Sequence, residues 1–291
     1  MTLRYFQKGF NYSQDGPGNR LVIHLQGCNL HCPWCANPEG MPMRPALLQK
    51  ADKLPSYVCS HGAVTPDGQL DRARCAACPD NACQTANRNT LLTCSAHDVP
   101  VETLYDEILA CRPMLIGGGV TFSGGEATLQ FAPLRQLLLL LHAAGIHTAI
   151  ETNATNPRLP ELFGTLDYLI ADYKHHDAAR LRAAIGADLA VIERNLHSAA
   201  AAQLPMLVRI LLIHGLNDTR ADAAAFLQAL APLLQQDPNF CLEFLTYHEY
   251  GKVKWQQCGL DYVMQNAFVA PETVQYFTEV FHAAGIHVVK T

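Results

Sequence analysis

Charge is scarce in this chain. Only 16% of its 291 residues are Asp, Glu, Lys or Arg, and the formal net charge is −5. No long basic block is present, so a nucleic-acid-binding role is not expected. Long hydrophobic runs are also missing. The most apolar run, Leu137–Leu141, is far too short to cross a bilayer. The opening residues Met1-Thr2-Leu3-Arg4-Tyr5 lack an apolar signal core. No membrane association is expected, and the cytoplasm is the expected location. There is no fixed-period repeat and no low-complexity segment. A hydrophobic fraction of 49% suits a compact enzyme that buries a large core, as one large domain or one plus an insertion.

Cysteine, by contrast, is abundant. The chain has 11, a number that in a reducing compartment points to metal binding more often than to disulfides. Cys28, Cys32 and Cys35 form a C-x3-C-x2-C loop, three thiols close together in sequence. A cubane iron–sulfur cluster normally takes four cysteines. Three ligands without a nearby fourth leave one iron open, and an open position on a metal is where chemistry occurs. A structural zinc loop or chance spacing is the alternative for the triplet alone. Cys111, Cys241 and Cys258 are isolated, and the first two read as core residues.

Short apolar runs alternate with helical patterns. The strand candidates are Leu21–Leu25, Val120–Ser123, His147–Glu151, Tyr168–Asp172, Leu207–Ile213, Leu242–Thr246 and a terminal His287–Lys290. The helix candidates are Val101–Cys111, Leu129–Ala144, Asp177–Ile185, Leu189–Gln203, Arg220–Gln235 and Pro271–Ala284, the last ending at Gly285. Six β/α units predict an α/β fold, a partial (β/α)6 barrel of TIM type rather than the full eight. The division expected is 1–40 for the N-terminal segment, first strand and cysteine loop, 41–100 for a Cys-rich insertion, and 101–291 for the rest of the barrel. The insertion carries Cys59, Cys75, Cys78, Cys83 and Cys94. The ferredoxin run C-x2-C-x2-C-x3-C-P is absent from it. One metal site is expected there, an iron–sulfur cluster or a zinc, on Cys59, Cys75, Cys78 and Cys83; the alternative is a decayed insertion with free thiols. Cys94 is the rival fourth ligand, with His61 and His97 as substitutes at a zinc.

Parallel α/β folds place their sites at the carboxyl ends of strands, and the informative polar residues fall there. Gly124, Gly125 and Glu126 follow the second strand. The glycines admit a close ligand, and the carboxylate can accept from an ammonium group. Glu151 and Thr152 end the third strand. Asp172 and Lys174 end the fourth, two apart and so on one face. Arg209 interrupts an apolar run. Buried, it needs an anion, either a ligand carboxylate or a protein one such as Glu243 or Asp172.

The cysteine loop resembles that of radical S-adenosylmethionine (SAM) enzymes. Its flanks narrow the match: Asp15-Gly16-Pro17-Gly18-Asn19-Arg20, Leu25-Gln26-Gly27-Cys28, Trp34-Cys35-Ala36-Asn37-Pro38-Glu39 and Tyr247–Trp255 resemble the activating enzymes of glycyl radical enzymes. The resemblance implies a [4Fe–4S] cluster on Cys28, Cys32 and Cys35 with SAM at its open iron. SAM is then cleaved to methionine and a 5′-deoxyadenosyl radical, which takes hydrogen from a backbone glycine of a partner enzyme. It further implies SAM contacts from Trp34, Gly124, Gly125, Glu126, Asp172, Lys174, Arg209 and His248. Asp15 would lie near the partner's glycyl loop. A monovalent cation is implied near Glu151, Thr152, Ile170 and Asp172. The family often has Asp where Glu151 stands, and His or Gln where Ala36 stands. Flavodoxin or ferredoxin would supply electrons, in anaerobic metabolism. A radical SAM enzyme acting on a small molecule or peptide is the nearest alternative. A metal-binding or electron-carrier protein without catalysis is the other.

Overall fold

A computed structural model of the chain describes residues 1–78, 83 and 91–291. The long first strand β1 (Thr2–Tyr12) turns back antiparallel onto β2 (Asn19–Leu25), with a register shift between Tyr5 and Gln7. After β2 the chain enters the cysteine loop and then the insertion. There β3 (Leu47–Gln49) and β4 (Leu92–Cys94) form a separate antiparallel pair, with the short helix α1 (Arg72–Ala76) between them. The insertion has a small core of its own, built on Leu54, Val58, Ala63, Leu70 and Leu92. Its two chain ends are clasped: Ser95 N–H donates to Ala46 O at 2.8 Å, and Ala46 N–H donates to Ser95 Oγ at 2.9 Å. β5 (His97–Pro100) then pairs with β1, so the main sheet resumes before residue 100.

The β/α alternation follows as expected. The strands are β6 (Gly119–Gly124), β7 (Thr148–Thr152), β8 (Tyr168–Asp172), β9 (Met206–Leu212), β10 (Cys241–Thr246) and β11 (His287–Val288). The helices are α2 (Val101–Ala110), α3 (Phe131–Ala143), α4 (Ala178–Ile185), α5 (Leu189–Ala201), α6 (Arg220–Gln236), α7 (Lys252–Gln257) and α8 (Pro271–Ala283). The sheet order is β11-β10-β9-β8-β7-β6-β2-β1-β5, parallel from β2 to β11. Its end strands do not meet, so the barrel is open. Helices pack on the sheet through apolar stripes: Leu134, Leu137, Leu138 and Leu141 of α3 are all fully buried. No helix among the described residues is long and apolar enough to cross a membrane.

β1, β5 and α7 escaped the sequence reading. β1 is mostly exposed, and Gln7-Lys8-Gly9 interrupts any run of strand-forming residues. Cys111 and Cys241, read as core, are only half-buried, and it is Cys258 that is buried.

Candidate active site

The cysteine loop is fixed by backbone weaving. Gly27 N–H donates to Gly40 O at 2.8 Å, Cys28 N–H to Met41 O at 2.8 Å, and Glu126 N–H to Gly27 O at 2.7 Å. The approach of these segments leaves no room for side chains. A Cβ on Gly125 would lie 2.2 Å from Gly27 O, and Gly124 has φ +121° with a Cβ position 2.3 Å from Leu25 N. These glycines serve the chain's own close packing as well as any ligand. Gly125→Ala is therefore expected to cost more than the ~1 kcal/mol of an ordinary glycine substitution. A lowered urea midpoint would report it; an unchanged midpoint contradicts the packing argument.

Cys28, Cys32 and Cys35 converge on a cavity of about 510 Å³. The same cavity is lined by Asp15, Trp34, Gly124, Gly125, Glu151, Thr152, Asp172, Lys174 and His248. The strand ends thus deliver most of the expected residues to one place. Burial pushes each of the three thiols up to about 11. A metal cation would favour the thiolate form of such buried thiols, as the nearby Lys174 already does in part. The cysteines lining this cavity are these three and no others among the described residues. A cubane with one open iron fits that donor set.

Lys174 donates from Nζ to Asp172 Oδ2 at 2.8 Å. Burial lowers its pKa, but Asp172 and the neighbouring Cys32 outweigh that and leave it raised. It is a cation held beside the cysteine loop. His248 stacks on Tyr250 with ring centroids 4.1 Å apart, and burial lowers its pKa. Asp15 is anchored by Asn11, whose Nδ2 donates to its Oδ2 at 2.5 Å.

Three expected residues do not line the cavity. The carboxylate of Glu126, 1% exposed, is consumed by protein donors: Thr128 N–H at 3.0 Å, Thr128 Oγ at 2.5 Å, Thr152 Oγ at 2.8 Å and Asn153 N–H at 2.8 Å. Its role is to lock the ends of β6 and β7, and it leaves no side-chain acceptor for a ligand ammonium. Arg209 is likewise satisfied from within. Its Nε donates to Glu243 Oε2 at 2.9 Å and Nη1 to Glu151 Oε1 at 2.6 Å, and Nη2 donates to Gln14 O. The protein-anion alternative therefore applies, with Glu243 as named and Glu151 in place of Asp172. Ile170 is fully buried in the sheet. The carboxylates proposed to hold a cation already have one each from the chain, Arg209 on Glu151 and Lys174 on Asp172.

His24 and Asn153 were not singled out from the sequence, and both line the cavity. Asn153 Nδ2 donates to Asn29 Oδ1 at 3.0 Å and lies 3.9 Å from Cys28 Sγ. Its place at the end of a parallel strand was the available signal. His24 Nδ1 is buried and has no hydrogen-bond partner among the described residues. A polar residue inside the apolar β2 run marked it.

In the insertion, Cys59, Cys75, Cys78 and Cys83 surround a small cavity together with His61. Cys94 lies outside it on β4, its thiol 3.7 Å from Ala96 O. His97 is on β5 with its ring 5.5 Å from that of Tyr5, away from this group.

A family model for the radical SAM superfamily matches residues 22–227. The chain is 34% identical over 271 residues to the (2S)-3-sulfopropanediol sulfolyase activating enzyme of Bilophila wadsworthia, covering 86% of this chain and 87% of that protein. It is 34% identical over 265 residues to the benzylsuccinate synthase activating enzyme of Thauera aromatica, covering 84% and 78%. A radical SAM methyltransferase from Sphaerobacter thermophilus shares the fold, with a TM-score of 0.52 at 13% identity over 96% of this chain and 67% of that one. The chain belongs to the radical SAM superfamily. Within it, the chain stands among the activating enzymes of glycyl radical enzymes.

Proposed function

We propose that this chain activates a glycyl radical enzyme by removing hydrogen from a backbone glycine of that partner. The observation that carries the reading is the meeting of three thiols with the carboxyl ends of the parallel strands on one cavity. When bound, a [4Fe–4S] cluster and SAM supply one electron and a 5′-deoxyadenosyl radical, chemistry that belongs to the cofactors.

The chain's residues bind, orient and shield. Cys28, Cys32 and Cys35 would hold the cluster. Lys174 would present a positive charge to the SAM carboxylate, and Asp172 keeps the lysine in place. The Gly124–Gly125 backbone, packed tightly against Leu25 and Gly27, lines the cavity and would offer its polar groups to the methionine end. Trp34 would give a flat apolar surface for the adenine, and His248 lines the same cavity. Asp15 also lines the cavity and would lie near the glycyl loop of the partner. Flavodoxin or ferredoxin as reductant, anaerobic metabolism and a cytoplasmic location complete the reading. Cys59, Cys75, Cys78 and Cys83 are proposed to hold one further metal, iron–sulfur or zinc.

Anaerobic reconstitution with iron and sulfide, followed by SAM and dithionite, tests it. The expected products are methionine and 5′-deoxyadenosine, with a glycyl doublet in the electron paramagnetic resonance spectrum of the partner. Cleavage without a doublet on any glycyl radical enzyme would favour a small-molecule or peptide substrate. Cys83→Ala is expected to lower bound metal while sparing SAM cleavage at least in part. Metal analysis beside a 5′-deoxyadenosine assay checks both.

A further inference from the structure

Helix α7 touches the cysteine loop on one side and the insertion on the other. Toward the loop, Trp255 Nε1–H donates to Cys35 O at 2.9 Å. Lys254 Nζ donates to Asn37 Oδ1 at 2.7 Å and pairs with Glu39 Oε1 at 2.6 Å. Gly251, just before the helix, packs so closely that a Cβ there would lie 2.5 Å from Cys35 O. Toward the insertion, Arg72 Nη2 donates to Gln257 O at 2.7 Å, and Lys50 Nζ donates to Gln257 Oε1 at 3.1 Å. The Gly259 backbone comes close to the Arg72 side chain: a Cβ would meet Nε at 2.3 Å.

Arg72 is the first residue of α1, the helix that carries Cys75. Its other arm, Nη1, donates to Leu47 O at 2.6 Å, at the start of β3. One planar guanidinium thus bridges a carbonyl of the insertion to the last carbonyl of α7. Arginine suits this, because two donors in a rigid fork fix two acceptors at once. The last carbonyls of a helix lack intrahelical partners, so the bond to Gln257 also caps α7.

The geometry points to Arg72 as a positioning residue for Cys35: by capping α7 it holds Trp255, and through it the carbonyl of the third cysteine, in register with the Cys-rich insertion. This rests on the reading of Cys28, Cys32 and Cys35 as the ligand loop. On that reading the insertion acts as a brace for the cluster, whatever metal it carries.

Hydrogen–deuterium exchange on the full, iron-loaded chain without SAM tests it. Arg72→Ala is expected to speed exchange across residues 28–37 at least about tenfold, the scale of losing one charge-assisted hydrogen bond from a local opening equilibrium. Strand β7 should keep its protection. Arg72→Lys should fall between, since one ammonium can still reach one of the two carbonyls. Trp255→Phe removes the indole N–H and should also loosen 28–37. Adding Arg72→Ala to it should then give less than the sum of the two, the mark of residues acting in one chain of contacts.

Unchanged exchange over 28–37 in Arg72→Ala overturns the proposal. So does an equal rise in β7, which signals global loosening, and so does full additivity with Trp255→Phe. The 5′-deoxyadenosine assay on the unaltered chain is read separately. Its failure would remove the activase reading and leave the exchange result standing.

Discussion

Cys32→Ala is expected to reduce SAM cleavage to background. Cys32 is 8% exposed and sits in the middle of the cysteine triplet, facing the cavity with Cys28 and Cys35. Two thiols cannot replace three around a cubane, and the cavity offers no spare cysteine among the described residues. The fold should survive, because the loop is held by main-chain bonds from Gly27, Cys28 and Glu126 that do not involve the sulfur. Circular dichroism should therefore be native-like while 5′-deoxyadenosine disappears. Full turnover in this variant would show that the triplet is not the ligand set.

Arg209→Met is expected to destabilise the fold by about 3–5 kcal/mol, the usual cost of removing one member of a buried ionic group. The substitution strands Glu243, 2% exposed, and also Glu151. Burial already raises the pKa of Glu151, and the Arg209 charge is what opposes it. Without the guanidinium that carboxyl should rise further above its unfolded value. A carboxyl raised in the folded state favours folding below its unfolded pKa and loses that contribution as pH climbs through the folded one. The deficit of the variant should thus be largest near pH 8 and shrink toward pH 5. Urea midpoints at the two pH values check it; a deficit that grows on acidification has the wrong sign for stranded carboxylates. Adding Glu243→Gln should recover part of the loss.

The barrel strands were legible because parallel strands covered on both faces read as unbroken apolar runs. Val120, Phe122, Leu169 and Val208 are all fully buried, as such runs require. The site was legible for a related reason. Polar residues that end those runs, such as Asp172, had nowhere to go but the open end of the sheet. What sequence could not give was the pairing among buried charges. Glu126 looked like a ligand acceptor because Thr128 and Asn153, which consume it, are ordinary residues with no signature of their own. Arg209 demanded an anion, but which one depended on register: β9 sets it opposite Glu243 of β10 and Asp172 of β8, and Glu151 reaches it from β7. The helix α7 was hidden because six residues are too few to show a period.

The clasp between Ala46 and Ser95 makes the intervening stretch a cassette on a narrow neck. Its stem is closed by main-chain and serine contacts alone, so a replacement of another length or another cysteine count could be spliced in without disturbing the strands on either side. What such a graft would have to reproduce is the reach of Arg72 and Lys50 across to Gln257. Exchange of whole Cys-rich segments between related chains then becomes structurally cheap, with the docking onto α7 as the constraint among the described residues.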